Sequence, residues 1–80
     1  MDRMTYNRAK WHCRRGVREL DVLLERYLEQ CYPDASAKEL DQFHQLLRCE
    51  DSVLQGYFFG GSPPTSNDRR ALVDKISALR

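Results

Sequence analysis

The sequence predicts an all-α protein, a compact single-domain bundle of about five short helices spanning residues 1–80. Three observations carry that prediction. No segment shows sustained alternation of apolar and polar residues, the mark of a half-buried strand. From Val17 to Cys31 the apolar residues recur at helical spacing. Glycine, proline and capping residues then divide the rest of the chain into helix-sized pieces.

Each helix follows from its own residues. Thr5 is placed to cap a first helix running to about Arg14, with Tyr6, Ala9 and Cys13 along one stripe. Gly16 interrupts, as a glycine that closes a helix in the left-handed conformation does. Val17, Leu20, Leu23, Leu24, Tyr27, Leu28 and Cys31 form the continuous apolar face of a second helix, which Pro33 and Asp34 stop. Ser36-Ala37-Lys38-Glu39 is a capping box opening a third helix, with Leu40, Phe43, Leu46 and Leu47 inward. Asp51 or Ser52 can cap a fourth, carrying Val53, Leu54, Tyr57 and Phe58. The run Gly60 to Thr65 holds two glycines and two prolines and reads as a loop. Ser66 or Asn67 then caps a last helix with Leu72, Ile76 and Leu79 inward.

Size and composition exclude several function classes. Eighty residues make one domain at most, with a modest core. Gly16, Gly56, Gly60 and Gly61 are the only glycines, so neither a dinucleotide-binding GxGxxG nor a phosphate-binding P-loop is present. No apolar run approaches the ~20 residues of a membrane span, and membrane insertion is not expected. The first 20 residues lack the apolar core of a secretory signal, so the expected location is cytoplasmic. The three cysteines, Cys13, Cys31 and Cys49, are odd in number and include no CxxC pair, which suits reduced thiols.

Charge is unevenly distributed. Residues 1–20 carry six bases against two acids, a balance of +4. Residues 21–60 carry three bases against eight acids, or −5, and residues 61–80 four against two, or +2. The basic N-terminal end is therefore a candidate binding face. Its plainest alternative is a helix of solvated arginines.

Four kinds of chemistry can be weighed. For a metal, His12 with Cys13 and His44 with Cys49 are potential ligands, but none has zinc-site spacing, so none is expected. For nucleophilic catalysis, His44 and Cys49 could form a pair, whereas adjacent His12 and Cys13 point about 100° apart on a helix; an enzyme is not expected. For nucleic acid, Tyr6, Arg8, Trp11, Arg14, Arg15 and Arg18 mix aromatic and basic groups. A pI of about 7.7 and the acidic middle of the chain oppose that reading. A nucleic-acid or regulatory binding module using the basic N-terminal helix is the alternative function. The fourth is partner binding, centred on Arg14-Arg15-Gly16-Val17-Arg18-Glu19. A glycine between two helices lifts the preceding arginines onto a corner and lets another backbone approach closely. A planar guanidinium there suits a partner's carboxylates or carbonyls. Glu19, in the first turn of the second helix, is favoured by the helix dipole and could pair with Arg15.

The run from Trp11 to Asp21 resembles the RGxxE signature of the succinate dehydrogenase assembly factors, the bacterial SdhE proteins related to the mitochondrial flavinylation factor. Leu46-Leu47-Arg48-Cys49-Glu50-Asp51-Ser52-Val53-Leu54-Gln55-Gly56-Tyr57 resembles the same family's LLxxxDxxLxxW-like block, with Tyr57 where relatives often carry tryptophan. The resemblance is strongest over residues 6–64. It implies a five-helix bundle that assists covalent attachment of FAD to the flavoprotein subunit of succinate dehydrogenase, and in some bacteria of fumarate reductase. The acceptor histidine and the FAD would belong to that partner, with no cofactor established for this chain. By resemblance the docking patch is Arg15, Gly16 and Glu19. Arg8, Trp11, His12, Arg14 and Arg18 would surround it, with Asp51 and Tyr57 joining if the fourth helix packs beside the corner. A monomer without nucleic acid is expected.

Overall fold

A computed structural model describes residues 6–79. Among them it has five α-helices and no strand: α1 (Tyr6–Cys13), α2 (Arg18–Gln30), α3 (Ala37–Leu47), α4 (Asp51–Phe58) and α5 (Asn67–Ala78). A single 3₁₀ turn, Tyr32–Asp34, with Pro33 at its start, separates α2 from α3. Thr5, the expected cap of α1, lies outside the described residues. No helix among the described residues is long and apolar enough to cross a membrane.

The amphipathic α2 is the spine. Its Leu20, Leu24, Tyr27 and Leu28 are buried against α1 and α5. Helix α3 lies on α5 and α1, and α4 on α5. Phe43, Leu46, Leu47, Leu54, Leu72 and Ile76 complete the centre, with Ala9 and Cys13 from α1. Burying each large apolar side chain contributes about 1.5–3 kcal/mol. The Tyr27 ring lies 4.4 Å from Phe43, and Tyr32 meets Phe43 edge-on at 6.0 Å.

Local details depart from the sequence expectation in four places. Tyr6 is exposed rather than inward, with its ring edge-on to Tyr32 at 5.6 Å. The capping box forms only one of its two bonds. Ser36 Oγ accepts from the Glu39 N–H at 3.1 Å, while the Glu39 carboxylate turns to Tyr27 and Lys75. Glu50, not Asp51 or Ser52, occupies the cap position of α4 without a side-chain bond. The Asp51 carboxylate is drawn instead to Arg15. In α5, Val73 is buried beside Leu72 and Ile76.

Candidate functional site

Between α1 and α2 the chain turns sharply through residues 14–17. Gly16 has φ +84°, a left-handed conformation that side chains with a Cβ enter at a cost of about 1–2 kcal/mol. A Cβ built on Gly16 would have no atom of the protein within 4 Å. Glycine is thus required here by backbone conformation, and the space beyond it is open.

Arg15 holds this turn in place. Its Nε donates to Asp51 Oδ1 at 2.6 Å. Its Nη1 donates to the carbonyls of His12 and Leu47, both at 2.9 Å, and its Nη2 to the carbonyl of Cys49 at 2.5 Å. Four of the five guanidinium N–H groups therefore serve the chain's own acceptors. The side chain is only 14% exposed. Its backbone N–H adds a 2.7 Å bond to Asp21 Oδ1 in the first turns of α2. The His12 and Leu47 carbonyls lie in the last turns of α1 and α3, where helices leave acceptors without intrahelical partners, and the Cys49 carbonyl lies in the link from α3 to α4. One side chain thereby ties the ends of α1 and α3 to the start of α4.

The expected local pair of Arg15 with Glu19 is not formed, because the guanidinium faces α3 and α4. Glu19 is exposed on the first turn of α2. Arg18 beside it is also exposed. Arg14 points outward and pairs with Glu25 at 3.3 Å. A pair this exposed contributes at most about 1 kcal/mol.

Two shallow clefts flank the corner. One is lined by Trp11, His12, Arg14, Arg15 and Asp51. Trp11, 80% exposed, is the most exposed of the large apolar side chains described. The other cleft lies between the start of α2 and the end of α4, lined by Val17, Glu19, Gln55, Gly56, Phe59 and Gly60. The structure therefore brings Trp11, His12, Arg14, Arg15, Gly16 and Asp51 to one corner, with Glu19 on its other flank. Arg8 is exposed on α1. Tyr57 is half-buried against the core and lines neither cleft.

Sequence reasoning missed Asp21, Gly56 and Phe59. Asp21 gave no signal beyond an acid near a helix start. Gly56 did give one, since a glycine inside a helix is unfavourable by ~1 kcal/mol and invites a reason.

The histidines and cysteines are engaged elsewhere. His44 is buried, and its Nε2 lies 2.9 Å from the Tyr32 hydroxyl. The Cys49 thiol donates to the Gln45 carbonyl at 3.7 Å. Cys13 is buried, and loss of solvation pushes its thiol up to about 12. It is thus a neutral core residue, like most buried free cysteines. Among the described residues no three of His, Cys, Asp and Glu are grouped to hold a metal ion.

The arrangement can be compared with known proteins. The family model described as flavinator of succinate dehydrogenase matches residues 7–80. The chain belongs to this family. Similar curated relatives are each named FAD assembly factor SdhE. That of Pseudomonas aeruginosa is 39% identical over 75 residues, covering 94% of this chain and 89% of the relative. That of Coxiella burnetii is 36% identical over 72 residues, covering 90% and 88%. That of Xylella fastidiosa is 44% identical over 73 residues, covering 91% and 75%. No solved structure shows significant similarity to the chain. The RGxxE run read in the sequence, Arg15, Gly16 and Glu19, spans the corner between α1 and α2.

Proposed function

We propose that this protein promotes covalent attachment of FAD to the flavoprotein subunit of succinate dehydrogenase, by docking on it through the corner at Gly16. Family membership and the names of the relatives support the reaction. The observation that carries the docking mode is the corner itself. Its tip is a glycine with open space beyond it, and its base is pinned by a nearly saturated arginine. A rigid, side-chain-free tip lets a partner's backbone approach closely and loses little conformational freedom on binding.

In this reading the chain forms no bond to flavin. FAD is the cargo and the acceptor histidine is the partner's. Covalent flavinylation needs the flavin held against that histidine, and holding reactants in a near-attack geometry removes several kcal/mol of barrier. The bundle favours the arrangement of the subunit in which they meet. It binds that arrangement more tightly than the finished one, which is what releases it. Arg15 acts as the pin of the docking surface, and Gly16 as its contact point. Trp11, His12, Arg14 and Arg18 form the surrounding patch, Glu19 offers a carboxylate, and Asp51 holds the pin. The same contacts suit a fumarate reductase flavoprotein, and the chain acts as a monomer in the cytoplasm.

The test is co-expression with the flavoprotein subunit in cells lacking their own factor, reading protein-bound flavin fluorescence on a denaturing gel. The native chain is expected to raise covalent flavin. Gly16→Ala and Gly16→Arg meet similar backbone strain at φ +84° but differ in bulk, so loss at a contact should be graded, with Arg falling at least about tenfold. Equal losses would assign the effect to strain and remove the corner from the interface. No flavin gain with the native chain would end the functional reading itself.

A further inference from the structure

The cleft between the start of α2 and the end of α4 adjoins the Gly16 corner and has its own chemistry. Phe59 stands at the end of α4 with 55% of its surface exposed. Its position is fixed by its N–H bond to the Gln55 carbonyl at 2.8 Å, and the Phe58 ring lies beside it at 6.3 Å. Glu19 lines the same cleft from the first turn of α2. It is exposed, and no cation of the described residues lies within ion-pair distance of it.

Gly56 is the third observation. It sits inside α4, where alanine would be better by about 1 kcal/mol in helix propensity. The fold gives no steric reason for glycine there. A Cβ on Gly56 would meet only the Ser62 Cβ, at 3.6 Å, an ordinary contact. Gly60 differs, since its Cβ would come within 3.0 Å of the Gly56 Cα. Gly60 is explained by the chain's own packing, whereas the packing at Gly56 leaves room for a side chain.

We infer that this cleft receives an arginine side chain of the flavoprotein subunit, its guanidinium stacked on Phe59 and forked to Glu19 over a floor left open by Gly56. This rests on the functional reading above and names the partner chemistry at that site. An aromatic face and an unpaired carboxylate in one cleft match the two surfaces of a guanidinium, flat above and hydrogen-bonding at its edge. Lysine offers neither the plane nor the fork. Val17 joins the cleft directly to the Gly16 corner, so one approaching segment meets both.

The experiment measures binding of the apo flavoprotein subunit by calorimetry, beside the flavin readout, for Glu19→Gln, Phe59→Ala, their double variant, and Gly56→Leu. Unfolding curves confirm that each is folded. Each single variant is expected to weaken binding about tenfold. Because one guanidinium serves both partners, the double variant should lose only about twentyfold rather than a hundredfold. Glu19→Gln should also flatten the salt dependence of binding. Gly56→Leu, which fills the floor, should lose more than tenfold while remaining folded. Additive losses would separate the two contacts and overturn the shared arginine. Native binding by Gly56→Leu would empty the cleft of any partner. If the cleft variants instead altered self-association of the isolated chain in sedimentation, the occupant would be a second copy and the inference would fall. Failure of the native chain to bind the subunit at all would sink the functional reading. A native chain that binds, a Gly16→Arg that does not, and unaffected cleft variants would sink this inference alone.

Discussion

Two polar hubs lie at different points along the long helix α2, and they differ in what surrounds them. At its start, Arg15 ties together α1, α3 and α4. About 14 Å further along α2, at 1.5 Å per residue, Tyr27 donates to Glu39 at 2.6 Å, and Lys75 of α5 donates to the same carboxylate at 3.0 Å. Both hubs join three helices through charge-assisted bonds. Beside the Glu39 hub, Arg26 donates to the Leu79 carbonyl at 3.1 Å. Around the Arg15 hub the surface holds a strained glycine, an unforced helical glycine, and two exposed aromatic side chains, Trp11 and Phe59. On the proposed docking reading, such local departures from the stability optimum gather where the partner binds. Both hubs hold the bundle together, and the Arg15 hub also fixes the exposed corner.

The largest effect is expected at the Arg15 hub. Arg15→Leu leaves three backbone carbonyls and the Asp51 carboxylate without their donor. At roughly 1 kcal/mol for each of the four lost bonds, the variant should lose about 4 kcal/mol. For a domain of this size that lowers Tm by roughly 16 °C or more, readable by circular dichroism. Arg15→Lys should recover little, since a single ammonium cannot span four diverging acceptors. A Tm within about 3 °C of native for Arg15→Leu would mean that Asp21 and the helix ends fix the corner without the guanidinium, and the contrast between hubs would collapse.

The second hub should respond less, and with pH. Tyr27→Phe removes one bond to a partly exposed carboxylate, worth about 1.5 kcal/mol. The Tyr27 hydroxyl is the main cause holding Glu39 below the usual carboxylate range, with Lys75 adding to it against desolvation. A carboxylate held low stabilises the fold above its unfolded value of about 4.3, and that stability is lost as pH falls through the lower folded value. Lys75 is raised, first by its bond to Glu39. Burial and Glu39 raise the Tyr27 phenol. Both contributions are complete below about pH 10 and disappear as pH rises beyond it. Urea unfolding from pH 3 to 10.5 should therefore show a plateau with two falling limbs. Tyr27→Phe should make the acid limb shallower, whereas Arg15→Leu, which does not touch Glu39, should lower the curve with the Glu39 contribution to the acid limb unchanged. Equal limbs in native and Tyr27→Phe chains would remove Glu39 as the linking group.

Much of this was legible in the sequence, and what was not has a common cause. Helix order, the left-handed Gly16, the Ser36 cap and the inward faces of α2 and α3 all follow from neighbours within one helix or turn. The partners of Arg15 do not. Asp51 is 36 positions away, and the carbonyls of Leu47 and Cys49 belong to backbone that carries no residue code. Local reasoning paired Arg15 with Glu19, the acid four residues on, and missed the tertiary choice. The same cause undid the capping box, where Glu39 found Tyr27 and Lys75 in place of the backbone beside it. The cleft was hidden because it needs α2 and α4 placed side by side.

The smallest expected effect separates the two ends of the molecule most directly. Gly56→Ala adds a methyl group where an ordinary 3.6 Å contact awaits it and removes a flexible residue from the unfolded chain. The fold should therefore gain about 0.5–1 kcal/mol, a rise in Tm of roughly 2–8 °C. Gly56 also lines the cleft inferred to receive the partner's arginine, so on that inference flavinylation should not improve with the added stability, and binding of the subunit should fall severalfold. Stability and activity moving in opposite directions at one position is what a surface kept open for a partner produces. Were both to rise together, Gly56 would be an unselected weakness of α4, and the corner at Gly16 would have to account for docking without it.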